Sequence, residues 1–210
     1  MTGHKRHGKD TVAKRLVDCW GFEKVAFADA LKDSCAAAFN IPREDFDDDS
    51  KKELPSDIYP DWTLRKIMQI VGTELFRSQW PNIWIDTWYR KVADKELVVV
   101  TDLRFPNEEI ALRQFPYNAL FRVKNERLAV SGDMHSSEAF IDTLFPDRTL
   151  LNNGTIDDLW SQVDYFCEND LVNYTGGVVI PRVNRPQFVN CKVVHLRDPD
   201  LSTYDGSAMR

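Results

Sequence analysis

Residues Gly3–Thr11 read G-x-x-x-x-G-K-D-T, and only Met1 and Thr2 stand ahead of them. Two glycines at this spacing let backbone amides converge on phosphate oxygens. Val12, Leu16, Val17 and Trp20 then fall on one helical face, and Gly21 is the stop signal. The loop therefore runs straight into a helix whose positive end faces the anion. In this geometry Lys9 reaches the β- and γ-phosphates, and the Thr11 hydroxyl helps to hold Mg²⁺. The plain alternative is a glycine-containing turn before an ordinary helix.

Such a loop hangs from the end of a buried parallel strand, and Met1-Thr2 is too short to be one. The favoured expectation is a lost or misassigned start, with the strand encoded upstream. The other is that a C-terminal segment, 177–180 or 192–196, completes the sheet beside Gly3.

The rest of the chain alternates between strand and helix patterns, as in an α/β fold with a mostly parallel sheet. Strands are expected at 25–27, 97–100, 119–123 and 149–151. The run 97–100 is apolar throughout, as in a strand buried on both faces. Asp29 is expected to cap a helix carrying Leu31, Cys35, Ala38 and Phe39, and Thr63 a longer one over 64–79. In the latter, Ile67, Met68, Val71 and Leu75 form the buried stripe, while Arg65, Gln69, Gly72 and Thr73 share another face. Further helices fit 107–115, 136–144 and 156–167, and another covers the aromatic stretch NIWIDTWYRKV. The polar segment 41–62 reads as a surface insertion or lid with a solvated acidic run, and residues 169–210 as a β-hairpin or extended arm. The domain expected over 1–168 thus carries an extension at 169–210.

A net charge of -6 argues against non-specific binding to nucleic acid or an anionic membrane. It leaves room for a small anionic ligand held by a loop and a few arginines. Cys19, Cys35, Cys167 and Cys191 are widely spaced and read as free thiols. With no signal peptide and no membrane-length apolar run, a cytoplasmic location is expected.

Three further patterns carry chemistry. In LVVVTDLRFPNEE a strand ends in Asp102, an acidic residue placed to hold Mg²⁺; Arg104 follows as a phosphate clamp and Glu108 as an arginine partner. The alternative is a strand end followed by a helix cap at Asp102 or Asn107. The face Arg65–Gln69–Gly72–Thr73 suits a base and a phosphate, or is simply solvated. His135 and Glu138 near a helix start give a weaker signal, and His4 and His7 read as exposed loop residues.

GHKRHGKDTVA, FADALKDSCAAAF, LRKIMQIVGTELFR with WIDTW, VVVTDLRFPNEE, HSSE and LLNNGTIDDLW occur in this order over about residues 3–167. As a set they resemble the phage-type deoxynucleoside monophosphate kinases. The resemblance implies a three-layer P-loop NTPase fold of the nucleoside-monophosphate-kinase kind, with a parallel sheet flanked by helices. It implies transfer of the γ-phosphoryl group of ATP, with Mg²⁺, to a deoxynucleoside monophosphate. By that resemblance Arg6, Gly8, Lys9, Asp10 and Thr11 contact the ATP phosphates, and Lys5 lies between donor and acceptor. Leu31, Lys32, Arg65, Gln69, Gly72, Thr73 and Trp84 contact the acceptor, with Asp102, Arg104 and Glu108 beside it. The expected partners are then ATP and dNMP rather than nucleic acid or membrane, and a homodimer is left open. Another small-molecule kinase, or a nucleotide-binding module without catalysis, are the other readings.

Overall fold

The computed structural model describes residues 1–56, 59–128 and 139–171. The chain divides into two units, one formed by Met1–Lys24 with the chain from Val92 onward, the other by Val25–Lys91.

In the first unit, α1 (Lys9–Trp20) follows the loop and ends at Gly21, whose φ of 74° makes a left-handed stop. β1 (Glu23–Lys24) pairs in parallel with β2 (Val98–Val99). β3 (Phe121–Lys124) pairs in parallel with β4 (Arg148–Leu151). Between the pairs lie the first two residues. Thr2 forms a parallel bridge to Arg122. Its N–H donates to the Phe121 carbonyl at 2.8 Å, and its carbonyl accepts from Val123 N–H at 3.0 Å. On the other side the Met1 amino group donates to the Val100 carbonyl. As expected, Met1-Thr2 makes no strand of its own: Thr2 forms an isolated bridge, and the two residues bond to β3 on one side and to Val100, just past β2, on the other. Segments 177–180 and 192–196 lie outside the described residues.

α5 (Pro106–Arg113) follows β2, and α6 (Ile156–Tyr165) follows β4 and runs on as a π-helical turn, Phe166–Asp170. A single apolar cluster joins α1, the strands and α6 through Val12, Leu16, Val99, Val123, Leu150 and Val163. Each fully buried aliphatic side chain there stabilises by about 1.5–3 kcal/mol relative to exposure. Across the α1–α6 contact, Arg15 donates to Asp164 at 3.0 and 2.5 Å, and Trp20 Nε1 to the same carboxylate at 3.0 Å. Of the helix expected at 136–144, residues 139–144 are described: Ala139 is helical, and Ile141–Thr143 form a 3-10 turn.

In the second unit, Leu31, Cys35, Ile41, Phe46, Leu64, Ile67 and Trp84 form the core. The strand expected at 25–27 is displaced: the ladder is at Glu23–Lys24, and Val25, Ala26 and Phe27 are buried outside it. α2 (Asp29–Phe39) begins as expected, but Asp29 is its first residue rather than its cap. The carboxylate reaches back to Ala26 N–H at 2.8 Å. α4 (Ile83–Val92) matches the aromatic stretch.

Thr63 caps α3 (Leu64–Gln69), its hydroxyl accepting from Lys66 N–H at 3.1 Å. The helix does not continue as one α-helix to 79. Ile70–Arg77 is π-helical, so each turn takes an extra residue and the apolar stripe loses register. Leu75, expected in the stripe, is 57% exposed.

The segment 41–62 holds a 3-10 turn, Arg43–Phe46, with Phe46 fully buried. Its acidic run is not merely solvated. Asp47 takes Lys32 at 2.8 Å and also Arg43, Asp45 takes Lys51, and Asp49 takes Lys52 at 3.0 Å. Cys19, Cys35 and Cys167 are buried free thiols, and Cys191 lies outside the described residues. Among the described residues no helix is long and apolar enough to cross a membrane.

Candidate functional site

The loop is shaped by three left-handed residues, Gly3 (φ 135°), Arg6 (φ 66°) and Gly8 (φ 107°). Gly3 is required on two counts, because a Cβ there would sit 2.4 Å from the Val123 carbonyl oxygen. Gly8 is required by its φ, which strains any L side chain, and a Cβ there would also push on Asn152 Nδ2 at 2.6 Å. As the N-cap of α1, Gly8 makes no side-chain bond to the first helical amides. Lys9 folds back over the loop, its ammonium donating to the carbonyls of Gly3 at 2.6 Å and His4 at 2.8 Å. Lys5 is half-buried, Arg6 exposed, and Thr11 half-buried in the first turn of α1. Asp10 is exposed and paired with Lys24 at 2.5 Å.

His4 and His7, expected to be exposed, are 8% and 3% accessible. The loop lies on the ends of β3 and β4, and its histidines fill that contact. His4 Nε2 lies 3.3 Å from an Asp142 carboxylate oxygen. His7 Nδ1 accepts from Asn125 N–H at 3.3 Å, which requires an unprotonated Nδ1. Burial pushes the His7 pKa down, helped by the charges of His4 and Lys9 and opposed by Val123 and Asp142. Asn152 Nδ2 donates to the His7 carbonyl at 3.1 Å.

Asp102, two residues beyond the buried Val100, is half-buried. Burial lowers the Met1 amino group's pKa to about 5, while Asp102 and Glu108 raise it and Lys9 lowers it. Asp102, Glu108 and Lys9 therefore share one electrostatic neighbourhood. Glu108 is 1% exposed. Its carboxylate accepts from the backbone N–H of Arg104 at 2.8 Å and Phe105 at 3.1 Å, fixing the turn that carries Arg104. N-capping falls to Phe105, so neither Asp102 nor Asn107 caps α5.

The other expected contact residues belong to the second unit. Leu31, Gly72 and Trp84 come together in its interior. A Cβ on Gly72 would lie 2.5 Å from Leu31 Cδ2, and Trp84 Nε1 donates to the Gly72 carbonyl at 3.0 Å. Gln69 and Thr73 are half-buried on either side of the change from α to π geometry. The cations sit on carboxylates, Lys32 on Asp47 at 2.8 Å and Arg65 on Glu53 at 2.7 Å. His135 and Glu138 lie outside the described residues.

Sequence reasoning passed over Asn125, Asn152 and the burial of His7. The available signal was a polar residue just past a parallel strand on the side where α/β sheets bind ligands. Among the described residues no group of three His, Cys, Asp or Glu could hold a metal ion. The oxygens of Thr11 and Asp102 suit a hard cation that keeps its waters and is shared with phosphates, as Mg²⁺ does.

A family model described as deoxynucleotide monophosphate kinase matches residues 49–163. A protein of Acanthamoeba polyphaga mimivirus bearing a deoxynucleotide monophosphate kinase name is 33% identical over 179 residues, covering 78% of this chain and 92% of its own. A deoxynucleoside-5'-monophosphate kinase of Escherichia phage T5 is 32% identical over 122 residues, 53% of this chain and 48% of that relative.

Proposed function

Because the chain belongs to the deoxynucleotide monophosphate kinase family, we propose that it transfers the γ-phosphoryl group of ATP to a deoxynucleoside monophosphate. An acceptor phosphate oxygen attacks the γ-phosphorus. The bond to the β–γ bridging oxygen breaks, and ADP leaves with that electron pair. The proposed architecture is a three-layer P-loop fold, supported by parallel strand pairs flanking the Thr2 bridge and by the loop leading into α1.

The observation that carries the donor side is the loop itself. Left-handed Gly3 and Gly8 shape it, and Lys9 is held across its carbonyls. Gly8, Lys9, Asp10 and Thr11 would present amides and an ammonium to the β- and γ-phosphates, with Arg6 at the rim. Lys5 and Arg104 would offset charge on the transferred group. Thr11 and Asp102 would hold Mg²⁺, which when bound neutralises charge across the phosphates. On the acceptor side Arg65 and Lys32 would take the monophosphate, and Gln69 and Thr73 the nucleoside. Leu31, Gly72 and Trp84 form the packed floor that fixes that surface, and Glu108 holds the Arg104 turn. Phosphoryl transfer asks little covalent work of a protein, so alignment and cations suffice.

The test is ADP release from ATP plus each single dNMP, with each component and Mg²⁺ omitted in turn. Release that depends on a dNMP supports the reading. Release with a non-nucleotide acceptor instead would make it another small-molecule kinase. ATP binding with no release on any acceptor would make it a nucleotide-binding module.

A further inference from the structure

We infer that Asn152 and the imidazole of His7 clamp the phosphate loop against the ends of β3 and β4, and that both are positioning residues for the donor phosphates. The inference rests on reading Gly3–Thr11 as the donor site. The loop is anchored at its start by the Thr2 ladder, but its other end, at Gly8, has no strand of its own. The clamp grips that end.

Asn152 is itself firmly placed. Its backbone N–H donates to the Lys124 carbonyl at 2.8 Å, continuing the β3–β4 ladder by one residue. The two strand ends are tied again where Asn153 accepts from Glu126 N–H at 2.9 Å and donates to its carboxylate at 3.0 Å. From this base the Asn152 amide donates to the His7 carbonyl and fills the space beside Gly8 Cα. It therefore fixes the 7–8 peptide, and with it the direction of the Gly8 amide. Aspartate cannot replace it, because a carboxylate oxygen would face the His7 carbonyl with no proton between them.

His7 completes the grip by accepting from Asn125 N–H. The bond exists only while Nδ1 is unprotonated. The charged and titratable groups around the ring are His4 on the loop, Lys9 on α1, Asp142 from the 3-10 turn, and Arg122, Lys124 and Glu126 from β3 and its end. Burial and the nearer positive charges keep the ring neutral at neutral pH. Acidification puts a proton against the Asn125 N–H and opens the clamp.

The experiment measures ADP affinity by calorimetry and hydrogen exchange of the peptide covering residues 3–11, in wild type, Asn152→Ala, Asn152→Asp and His7→Asn. Thermal melts check folding. Both Asn152 variants should weaken ADP about tenfold, the effect of one lost partner for a buried group. They should speed loop exchange and raise the ATP KM while the dNMP KM stays within about twofold. Wild-type ADP affinity should fall as the pH drops below the usual histidine range. His7→Asn, whose side-chain oxygen accepts near the Nδ1 position without titrating there, should lose that acid limb. Wild-type affinity and loop exchange in either folded Asn152 variant would overturn the clamp, and so would an unchanged acid limb in His7→Asn. If Asn152→Ala does not fold, the nearly isosteric Asn152→Asp decides. A wild-type protein that binds ADP yet phosphorylates no dNMP would sink the kinase reading, while the exchange and affinity arms still judge the clamp.

Discussion

The two units differ in how they hold the charges of the proposed site. Among the described residues the buried polar side chains Thr2, His4, His7, Thr101 and Glu108 all belong to the first unit. There His7 and Glu108 are engaged by backbone amides, and Lys9 by loop carbonyls. In the second unit Lys32, Arg43, Arg65 and Lys91 lie near the surface against aspartates and glutamates. The first arrangement is fixed before any ligand arrives, at the cost of desolvating polar groups. The second is exchangeable. Surface pairs of this kind are worth about 0–1 kcal/mol, so a phosphate that displaces a carboxylate meets little resistance. The rigid cradle belongs to the proposed donor side and the exchangeable cations to the proposed acceptor side.

The sharpest break in that comparison is Lys9→Ala. It should leave the fold intact and lower kcat at least about a hundredfold, since one lost transition-state cation costs several kcal/mol. Activity within a few-fold of wild type, in a protein with an unchanged melt, would remove the loop from the mechanism.

Next come paired glycines. Gly8→Ala places a Cβ at φ 107° and against Asn152, so it should cost about 1–3 kcal/mol of stability and most of the activity. Gly72→Ala meets only the end of a leucine side chain, which can turn away. It should cost about 1 kcal/mol and act on the dNMP KM rather than on ATP. Denaturation and steady-state kinetics on both would show whether the first unit is the stiffer. Equal effects would erase the distinction.

Smaller still, Arg65→Ala or Arg104→Ala should raise the dNMP KM about tenfold, or lower kcat, with little change in ATP binding. ATP binding weakened to the same degree would move these arginines to the donor side. The mildest test is Glu53→Gln, which releases Arg65 from its carboxylate. The dNMP KM should fall, by no more than about threefold, given the low worth of such a pair. A rise would mean that Glu53 aims Arg65 rather than parking it.

The parts legible in the sequence are those encoded locally. The glycine, lysine and threonine spacing produced the loop, and apolar periodicity gave α1, α4, α5 and α6 nearly as found. Thr63 announced its cap. What escaped depends on distant partners. Asn152 meets His7 across 145 positions and Asn125 meets it across 118, and no local pattern marks either pair. The histidines looked exposed because polar residues in a loop usually are, but here the strand ends rise around them. Apolar pattern points to 25–27 rather than 23–24 for the strand, because Val25, Ala26 and Phe27 are more apolar than Glu23 and Lys24. Phe27 packs against Trp88, whose Nε1 donates to the Val25 carbonyl, contacts that lie outside the ladder.

The π-helical run Ile70–Arg77 has a consequence for how such a chain can change over time. An α-helix places successive side chains about 100° apart, so removing one residue from the run would let α geometry pass through unbroken. The positions beyond the cut, up to Trp80, would then keep the sides they now face, because the wide turn already holds the extra residue that the deletion removes, and Arg65 and Gln69 upstream would keep theirs. A single-codon deletion here would therefore change the proposed acceptor surface only around Gly72 and Thr73, inside the run, and leave the loop of the other unit unaltered in sequence.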